Sequence, residues 1–577
     1  MNISSLLTSL WGFIERRRKI QFICLLVMMI FSSFAEVISL GAVLPFLGVI
    51  SAPEAIFEMD IAKPIIKVLN IESPDQLLLP ISLFFAIAVI FAAIFRTLLL
   101  WFTMKISYST GSELSIKTYK RIINQSYIEH INRNTSELIS IMGPKLNNAV
   151  AVINNILIFF SSFFIMLGIL ILLIAVQPVI SLILFSSFAL IYIFTTFIFR
   201  LRLIKSSTNI SVLGPLLVKT LQESLGGIRN IIIDDSKKEF INIYSQTDKK
   251  FRSAQGNINF VGSSPRPIME ALGILLIICL AYFFSLQTEG IQTAIPVLGF
   301  MALGAQRLLP SLQQTYAAWS YIKGEQKSLE DILNILNKRL DESKKLTLKS
   351  DIVFEQTIHL KNVSFRFEKN LPKVLKNYNL KIKKGSWIGI VGETGSGKST
   401  LIDIIMGLLE PTDGGLYIDE RLLGFNDLKS WQTKIAHVPQ VIFLTDASIS
   451  ENIAFGVNSN EINHDLVKRS AKIAQISETI EALPDAYNTH VGERGVKLSG
   501  GQRQRIGIAR ALYKQAEIII FDEATNALDS LKEASVMKAL ENLDKNITVI
   551  MIAHRLSTLE NCSQIIDLSA NKDFFES

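Results

Sequence analysis

An apolar stretch long enough to cross a bilayer leaves a polypeptide little choice of fold. Hydrocarbon offers no partner for backbone N–H and C=O groups, so a spanning segment must satisfy them itself, most simply as a helix. The hydrocarbon layer takes about twenty helical residues. This chain of 577 residues carries six such runs, at about 20–50, 80–104, 153–176, 179–199, 267–286 and 293–316. A buried core helix would explain any one of them, but the charges around all six alternate coherently. Arg16-Arg17-Arg18-Lys19 precede the first run, Lys105, Lys117, Lys120, Arg121, Arg133 and Lys145 fill the stretch after the second, and Arg200, Arg202 and Lys205 follow the fourth. The loop Gln177-Pro178, the loop 287–291 and the acidic segment 51–79 lie opposite. Because lysine and arginine stay on the cytoplasmic side, this pattern predicts six spans with both termini cytoplasmic.

Composition changes along the chain. The mean hydropathy of +0.36 comes from the first 325 residues, whereas the last 230 or so read as a soluble α/β domain. The expected organisation is a transmembrane domain over 1–322, a charged, helix-permissive linker over 323–351, and a nucleotide-binding domain over 352–577. The net charge of +7 sits largely in membrane-flanking loops and does not point to a nucleic-acid partner. Cys24, Cys279 and Cys562 are far apart, with neither metal-ligand nor disulfide spacing. The first run is too long for a signal-peptide core and lacks a small-residue cleavage site, so no cleaved leader is expected.

The soluble half is organised around Gly392-Glu393-Thr394-Gly395-Ser396-Gly397-Lys398-Ser399-Thr400, which matches G-x-x-x-x-G-K-[ST]. An apolar strand (387–391) leads into it and an apolar helix (401–409) leads out. This context aims several backbone N–H groups and the positive end of a helix dipole at one spot, which suits a polyphosphate. Glycines admit the phosphates without Cβ clashes, Lys398 reaches the β and γ oxygens, and the Ser399 hydroxyl suits Mg²⁺. Further on, Ile518-Ile519-Ile520-Phe521-Asp522-Glu523 reads as a buried strand ending in two acids. Asp522 is placed to hold Mg²⁺ through water and Glu523 to act as general base on the attacking water. Ser499-Gly500-Gly501-Gln502 opens a second helix, and with it a second anion-binding N-terminus in the same domain.

With these motifs in this order, the chain resembles the ATP-binding cassette (ABC) transporters along its whole length. Residues 498–502 are similar to the signature motif of that family. The resemblance assigns Gln440 to the glutamine loop, where it also contacts the metal, His554 to the switch histidine and Asp529 to the D-loop. Phe367 falls where the family stacks an aromatic ring on adenine, and Glu493 in the segment that communicates with the membrane helices. ATP and Mg²⁺ are the implied cofactors. Lys398, Gln440, Glu523 and His554 are the implied catalytic set. In the family ATP lies between the phosphate loop of one subunit and the signature of another. One chain with one of each and one set of spans, none of them degenerate, therefore implies a homodimer. Family members usually continue further past the switch histidine, so a difference in C-terminal packing is expected.

The arrangement of spans resembles the B-type (type IV) exporters, whose coupling helices would fall near 124–133 and 223–233, the second preferably against the partner chain. No binding-protein or N-terminal peptidase feature is present, which disfavours import and leader processing. Glu36, Arg96, Arg266, Glu270 and Arg307 lie within or at the edges of the spans, where a charge is costly and normally faces a wet cavity or a partner. Arg96, Arg266 and Arg307 fall in the cytoplasmic half. Arg266 and Arg96 can instead snorkel to the headgroups, whereas Arg307 is hard to explain that way. Doubled in a dimer, the three form an expected cationic pocket for a phosphate or pyrophosphate. Residues 36–46 and 305–311 look like the matching spans of bacterial lipid-linked oligosaccharide flippases, with 53–71 as their short external helix. The resemblance implies outward movement of an anionic glycolipid across a bacterial inner membrane. An exporter of peptides or hydrophobic small molecules, with an apolar or mixed cavity, is the alternative.

Overall fold

The computed structural model describes residues 3–51, 53–58, 63–68, 71–285, 291–338, 352–524, 530–541, 546–553 and 559–569. It divides into two compact units, one of Met1–Gln125 with Arg133–Arg339 and the other of Ser126–Asn132 with Leu340–Ser577.

The first unit is helical. In chain order come α1 (Ile3–Phe13), α2 (Arg16–Gly41), α3 (Val43–Ser51), α4 (Pro53–Glu58), α5 (Lys63–Val68) and α6 (Leu78–Ile123). Helix α7 (Tyr127–Ile131) belongs to the second unit. Then follow α8 (Thr135–Ser140), a π-helical turn at Ile141–Lys145, α9 (Leu146–Val176), α10 (Pro178–Gly226), α11 (Ile228–Ile233) and α12 (Lys237–Ser263). The unit closes with α13 (Pro265–Ser285), α14 (Ile291–Gly324) and α15 (Gln326–Asn337). The first apolar run is thus two helices, and Pro45 lies in the first turn of α3, where no backbone donor is needed. The proposed external segment forms α4 and α5, with residues 59–62 and 69–70 outside the described set. At 46 and 49 residues, α6 and α10 are each about 70 Å long, more than twice the hydrocarbon thickness. Their polar halves therefore continue well beyond a membrane.

Among the described residues, five helical stretches are long and apolar enough to cross a bilayer. The sixth expected span falls on α14, which is long enough but is diluted by Gln306, Arg307, Gln313 and Gln314. Helix packing here depends on close approach. A Cβ on Gly168 of α9 would clash with Ser33 Oγ of α2, and that hydroxyl donates to Phe164 O at 2.8 Å. Only glycine lets these two helices touch so closely. Large apolar side chains such as Phe197, 82% exposed on α10, point away from the unit. Such a surface requires lipid or another chain against it. Helix α15, in the stretch read as a linker, buries Leu329, Ile332, Leu333 and Leu336 against Leu6, Leu10, Leu146 and Ala149. It is packed as part of this unit.

The second unit has two sheets. Strands β1 (Thr357–Phe365), β2 (Leu375–Lys383), β4 (Asp413–Ile418) and β5 (Arg421–Leu422) form an antiparallel sheet in the order β2-β1-β4-β5. The remaining five are β3 (Trp387–Val391), β6 (Ile435–Val438), β7 (Ile518–Asp522), β8 (Thr548–Ile552) and β9 (Gln564–Asp567). These make a parallel sheet in the order β6-β7-β8-β3-β9. Its central strands β7 and β8 are nearly unbroken apolar runs because both faces are covered, whereas the edge strand β9 is largely exposed. Alternate side chains point to opposite sides. Ile388, Ile390, Ile518, Ile520, Ile550 and Ile552 share a core with Leu401, Ile402, Ile404 and Ile405 of α16 (Lys398–Ile405). Ile519, Phe521, Val549 and Met551 share the other core with Ile506, Ile508, Ala509 and Ala511 of α21 (Gly500–Tyr513). Between these two helices lie α17 (Leu428–Thr433), α18 (Ile449–Ile453), α19 (His464–Ile473) and α20 (Ser477–Glu481). Helix α21 spans Gly500–Tyr513, and α22 (Ser530–Glu541) follows. Helices α16 and α21 therefore lie on opposite faces of the parallel sheet. Helix α7 joins this unit through Ile128, packed on the core that holds α16.

Candidate functional site

The phosphate loop leaves the end of β3, second strand from the sheet edge, and turns into α16 at Gly397, whose φ of 97° and ψ of 14° are left-handed. An L-side chain rarely adopts that conformation, so glycine is required there. Lys398 is buried, and its Nζ donates to the carbonyls of Gly392 at 2.7 Å and Glu393 at 3.0 Å. Ser399 is exposed and Thr400 buried. The buried Ser396 Oγ has no hydrogen-bond partner among the described residues. A loop with an orphaned hydroxyl, a lysine hydrogen-bonded to neutral carbonyls, and N–H groups opening a helix fits a polyphosphate. The far side of the loop is tied by β9. Leu568 N donates to Val391 O at 3.0 Å, and Glu393 N donates to Ser569 Oγ at 3.0 Å. The edge strand and the two residues after it thus clamp the phosphate loop.

Strand β8 is inserted between β3 and β7, so the acids at the end of β7 face the loop across one intervening strand. Glu523, the residue after β7, has φ of 50°, and its N–H donates to Ile552 O at 3.1 Å. A non-glycine residue in the left-handed region is uncommon and is a feature of sites that aim a side chain. Gln440 Nε2 donates to Glu523 Oε2 at 2.7 Å, joining the second residue after β6 to the expected general base. Burial, then the charge of Glu523, raises the Asp522 carboxyl above its ordinary range, and Lys398 opposes the shift. A divalent cation placed there would offset that cost.

Sequence reasoning missed Asp403. It lies one helical turn after Ser399 on α16, where i and i+4 share a face. Burial and the charge of Asp522 push its carboxyl up to about 6. Asp403 in turn raises the Tyr127 hydroxyl of α7, after burial. The available signal was a single acid inside the otherwise apolar run Leu401-Ile402-Asp403-Ile404-Ile405.

At the expected signature, Ser499 caps α21. Its Oγ accepts from Gln502 N, while Ser499 N donates to Gln502 Oε1 at 2.7 Å. This reciprocal cap holds the helix start, with Gly500 and Gly501 adding no side chain in front of it. Phe367 is half-buried just past β1, with its ring edge-on to Phe365 at 5.0 Å. Glu493 is exposed on a short 3₁₀ turn. Asp529 and His554 lie outside the described residues.

The three membrane arginines do not converge on one cavity. Arg307 Nη1 donates to Glu36 Oε2, and Arg96 Nη1 lies 3.7 Å from Glu36 Oε1. Arg266 Nε donates to Glu270 Oε1 at 2.7 Å along α13. Of the three, only Arg266 lines the cavity of about 590 Å³ beside α14, together with Glu270, Gln306, Gln313 and Gln314. Each of the three arginines thus has a carboxylate beside it within one chain.

Membrane-length helices in one chain with a phosphate-loop domain, whose helices α16 and α21 pack on opposite faces of one sheet, define a membrane protein with a nucleotide-binding domain. The chain belongs to the ABC transporters. It matches the family "ABC transporter transmembrane region" over residues 19–301 and "ABC transporter" over residues 375–526. It is 30% identical to the "ATP-dependent lipid A-core flippase" of Cupriavidus pinatubonensis, over 60% of this chain and 59% of that protein. It is 39% identical to the "Leukotoxin translocation ATP-binding protein LktB" of Mannheimia glucosida, over 47% of this chain and 37% of that protein. The chain thus spans about half the length of the curated relatives it matches. Among solved structures, a bacterial Atm1-family ABC exporter with ATP bound superposes with a TM-score of 0.74, covering 96% of this chain and 94% of that one at 20% identity. The fold is therefore that of an ABC exporter.

Proposed function

We propose that the chain is one half of a homodimeric ATP-driven flippase. It moves a lipid-linked oligosaccharide or similar anionic glycolipid from the inner to the outer leaflet of a bacterial inner membrane, with the ATPase domains cytoplasmic. The carrying observation is the placement of arginines and glutamines on the membrane helices: Arg96 and Arg307 around Glu36, and Arg266 among the glutamines of α14. Guanidinium groups offer planar paired donors to phosphate oxygens. A relative named for flipping lipid A-core supports the same chemical class.

ATP and Mg²⁺ are the proposed cofactors. Residues 392–400 cradle the phosphates, Ser399, Gln440 and Asp522 hold the metal, Phe367 faces the adenine, and Glu523 accepts a proton from the attacking water. Bound Mg²⁺ supplies charge neutralisation at the phosphates. Gln440 holds the carboxylate of Glu523 in place. His554 and Asp529 complete the set by their motifs. The positions of α16 and α21 on opposite faces of one sheet support a nucleotide shared between two copies. Ser499, Gly500, Gly501 and Gln502 therefore act on the nucleotide of the second copy.

Reconstitution in proteoliposomes tests the cargo. A polyprenyl pyrophosphate glycan should stimulate ATP hydrolysis and be carried across the bilayer. Stimulation by peptides alone would sink the reading in favour of a peptide exporter, an alternative supported by the charge compensation of all three arginines and by the leukotoxin relative.

A further inference from the structure

Three membrane helices meet at a single carboxylate. Glu36 lies near the middle of the apolar run that begins with α2, and its two oxygens face different arginines, Arg307 of α14 and Arg96 of α6. Side-chain exposure is graded across the cluster, from 6% for Glu36 through 35% for Arg307 to 59% for Arg96. The anion is thus at the bottom and the cations above it, so an incoming headgroup meets guanidinium groups before it meets Glu36. Arg96 at 3.7 Å is beyond hydrogen-bond length from the carboxylate, whereas Arg307 donates a hydrogen bond to it. Arg96 is therefore the more easily recruited of the two.

We propose that Glu36 is the specificity-determining residue of the membrane unit, an internal competitor that admits only headgroups carrying more than one negative charge. The proposal rests on the anionic-headgroup reading above. The physical reason is an exchange of charges. A bilayer is full of phosphodiester lipids, whose phosphate carries one negative charge. Such a headgroup would replace one monovalent partner of the arginines with another and leave Glu36 under-compensated in a low-dielectric site, which is strongly unfavourable. A pyrophosphate or phosphate monoester carries roughly two or more charges. It can attract Arg96 and part of Arg307 while Glu36 keeps a share of Arg307, because one guanidinium has five N–H donors. Without Glu36 the two arginines would be an open anion site that bulk lipid fills.

The test uses the full chain in phosphatidylcholine proteoliposomes, with ATP hydrolysis measured against added polyprenyl pyrophosphate or phosphatidylglycerol. The wild-type protein should respond to the pyrophosphate lipid and not to phosphatidylglycerol at the same mole fraction. Glu36→Gln should respond to both, with the preference reduced at least about tenfold, the scale of a close charge pair. If Glu36→Gln keeps wild-type discrimination, Glu36 is only a brace between helices and the proposal fails while the headgroup reading stands. If the wild-type protein answers neither lipid, the headgroup reading itself fails. A second variant guards against a Glu36→Gln protein that does not fold. Arg96→Gln leaves Glu36 neutralised by Arg307 alone, so it should lose about tenfold in pyrophosphate response and gain none to phosphatidylglycerol. A gain would overturn the filter.

Discussion

Lys398 of the phosphate loop, a buried cation, and Arg307 of α14, a half-buried one, are held by different partners. Lys398 is held by two backbone carbonyls, Arg307 by the carboxylate of Glu36. Exchanging a neutral carbonyl for a phosphate oxygen strands no charge, so the nucleotide half is ready for any polyphosphate that fits its loop. Exchanging Glu36 strands an anion in hydrocarbon. The difference teaches that a count of cations does not measure an anion site. What each cation must give up decides how selective the site is.

The largest effect that would test this contrast is in the chemistry. Glu523→Gln should lower ATP turnover by about 10²–10⁴ while leaving nucleotide affinity near wild type, since the base is lost and the cradle remains. Near-normal turnover would remove Glu523 from its role. Lys398→Ala should act differently, weakening ATP binding itself by at least about tenfold in a direct titration, the scale of a charge-assisted contact. Mixed dimers sharpen the geometric side. Ser499→Arg subunits combined with Lys398→Ala subunits should recover ATPase above either parent, because one composite site is then intact. No recovery in purified mixed dimers would argue against a nucleotide shared between α16 and α21 of two chains.

In the membrane half, Arg307→Ala should reduce lipid-stimulated ATPase and flipping while basal hydrolysis persists, and Arg307→Lys should recover only part of it for want of a planar fork. Equal flipping by Ala variants of Arg96, Arg266 and Arg307 would remove the contrast altogether. The smallest effect concerns Asp403. Its carboxyl is raised from 3.8 to about 6, so the folded protein binds this proton more tightly than the unfolded chain. The resulting stabilisation is full below about pH 4 and is lost as the pH rises through about 6. Asp403→Asn should therefore raise stability at pH 7.5 by about 1 kcal/mol, allowing for solvent screening of a half-buried group, and change little at pH 4. Thermal unfolding of the full chain without nucleotide at the two pH values reads this directly, and an equal shift at both would refute the assignment.

The motifs of the nucleotide domain were legible because their chemistry is local. A glycine that must be left-handed at Gly397, a lysine beside it and a capping serine at 499 are each decided within a few residues by backbone sterics and helix ends. The apolar runs were legible for a similar reason, since a bilayer-length stretch dictates its own hydrogen bonding. Even there, the break between α2 and α3 and the packing of α15 into the helical unit needed the structure. Long-range partners were not legible. Glu36 and Arg307 are separated by 271 positions, Gln440 and Glu523 by 83, and Glu393 and Ser569 by 176. No periodicity connects such pairs. The sequence alone determined which residues are able to carry charge, bend the chain or open a helix. Only the tertiary structure decided which charges neutralise one another and that α16 and α21 lie on opposite faces of one sheet, because those outcomes depend on strand order and helix crossing rather than on neighbours in the chain.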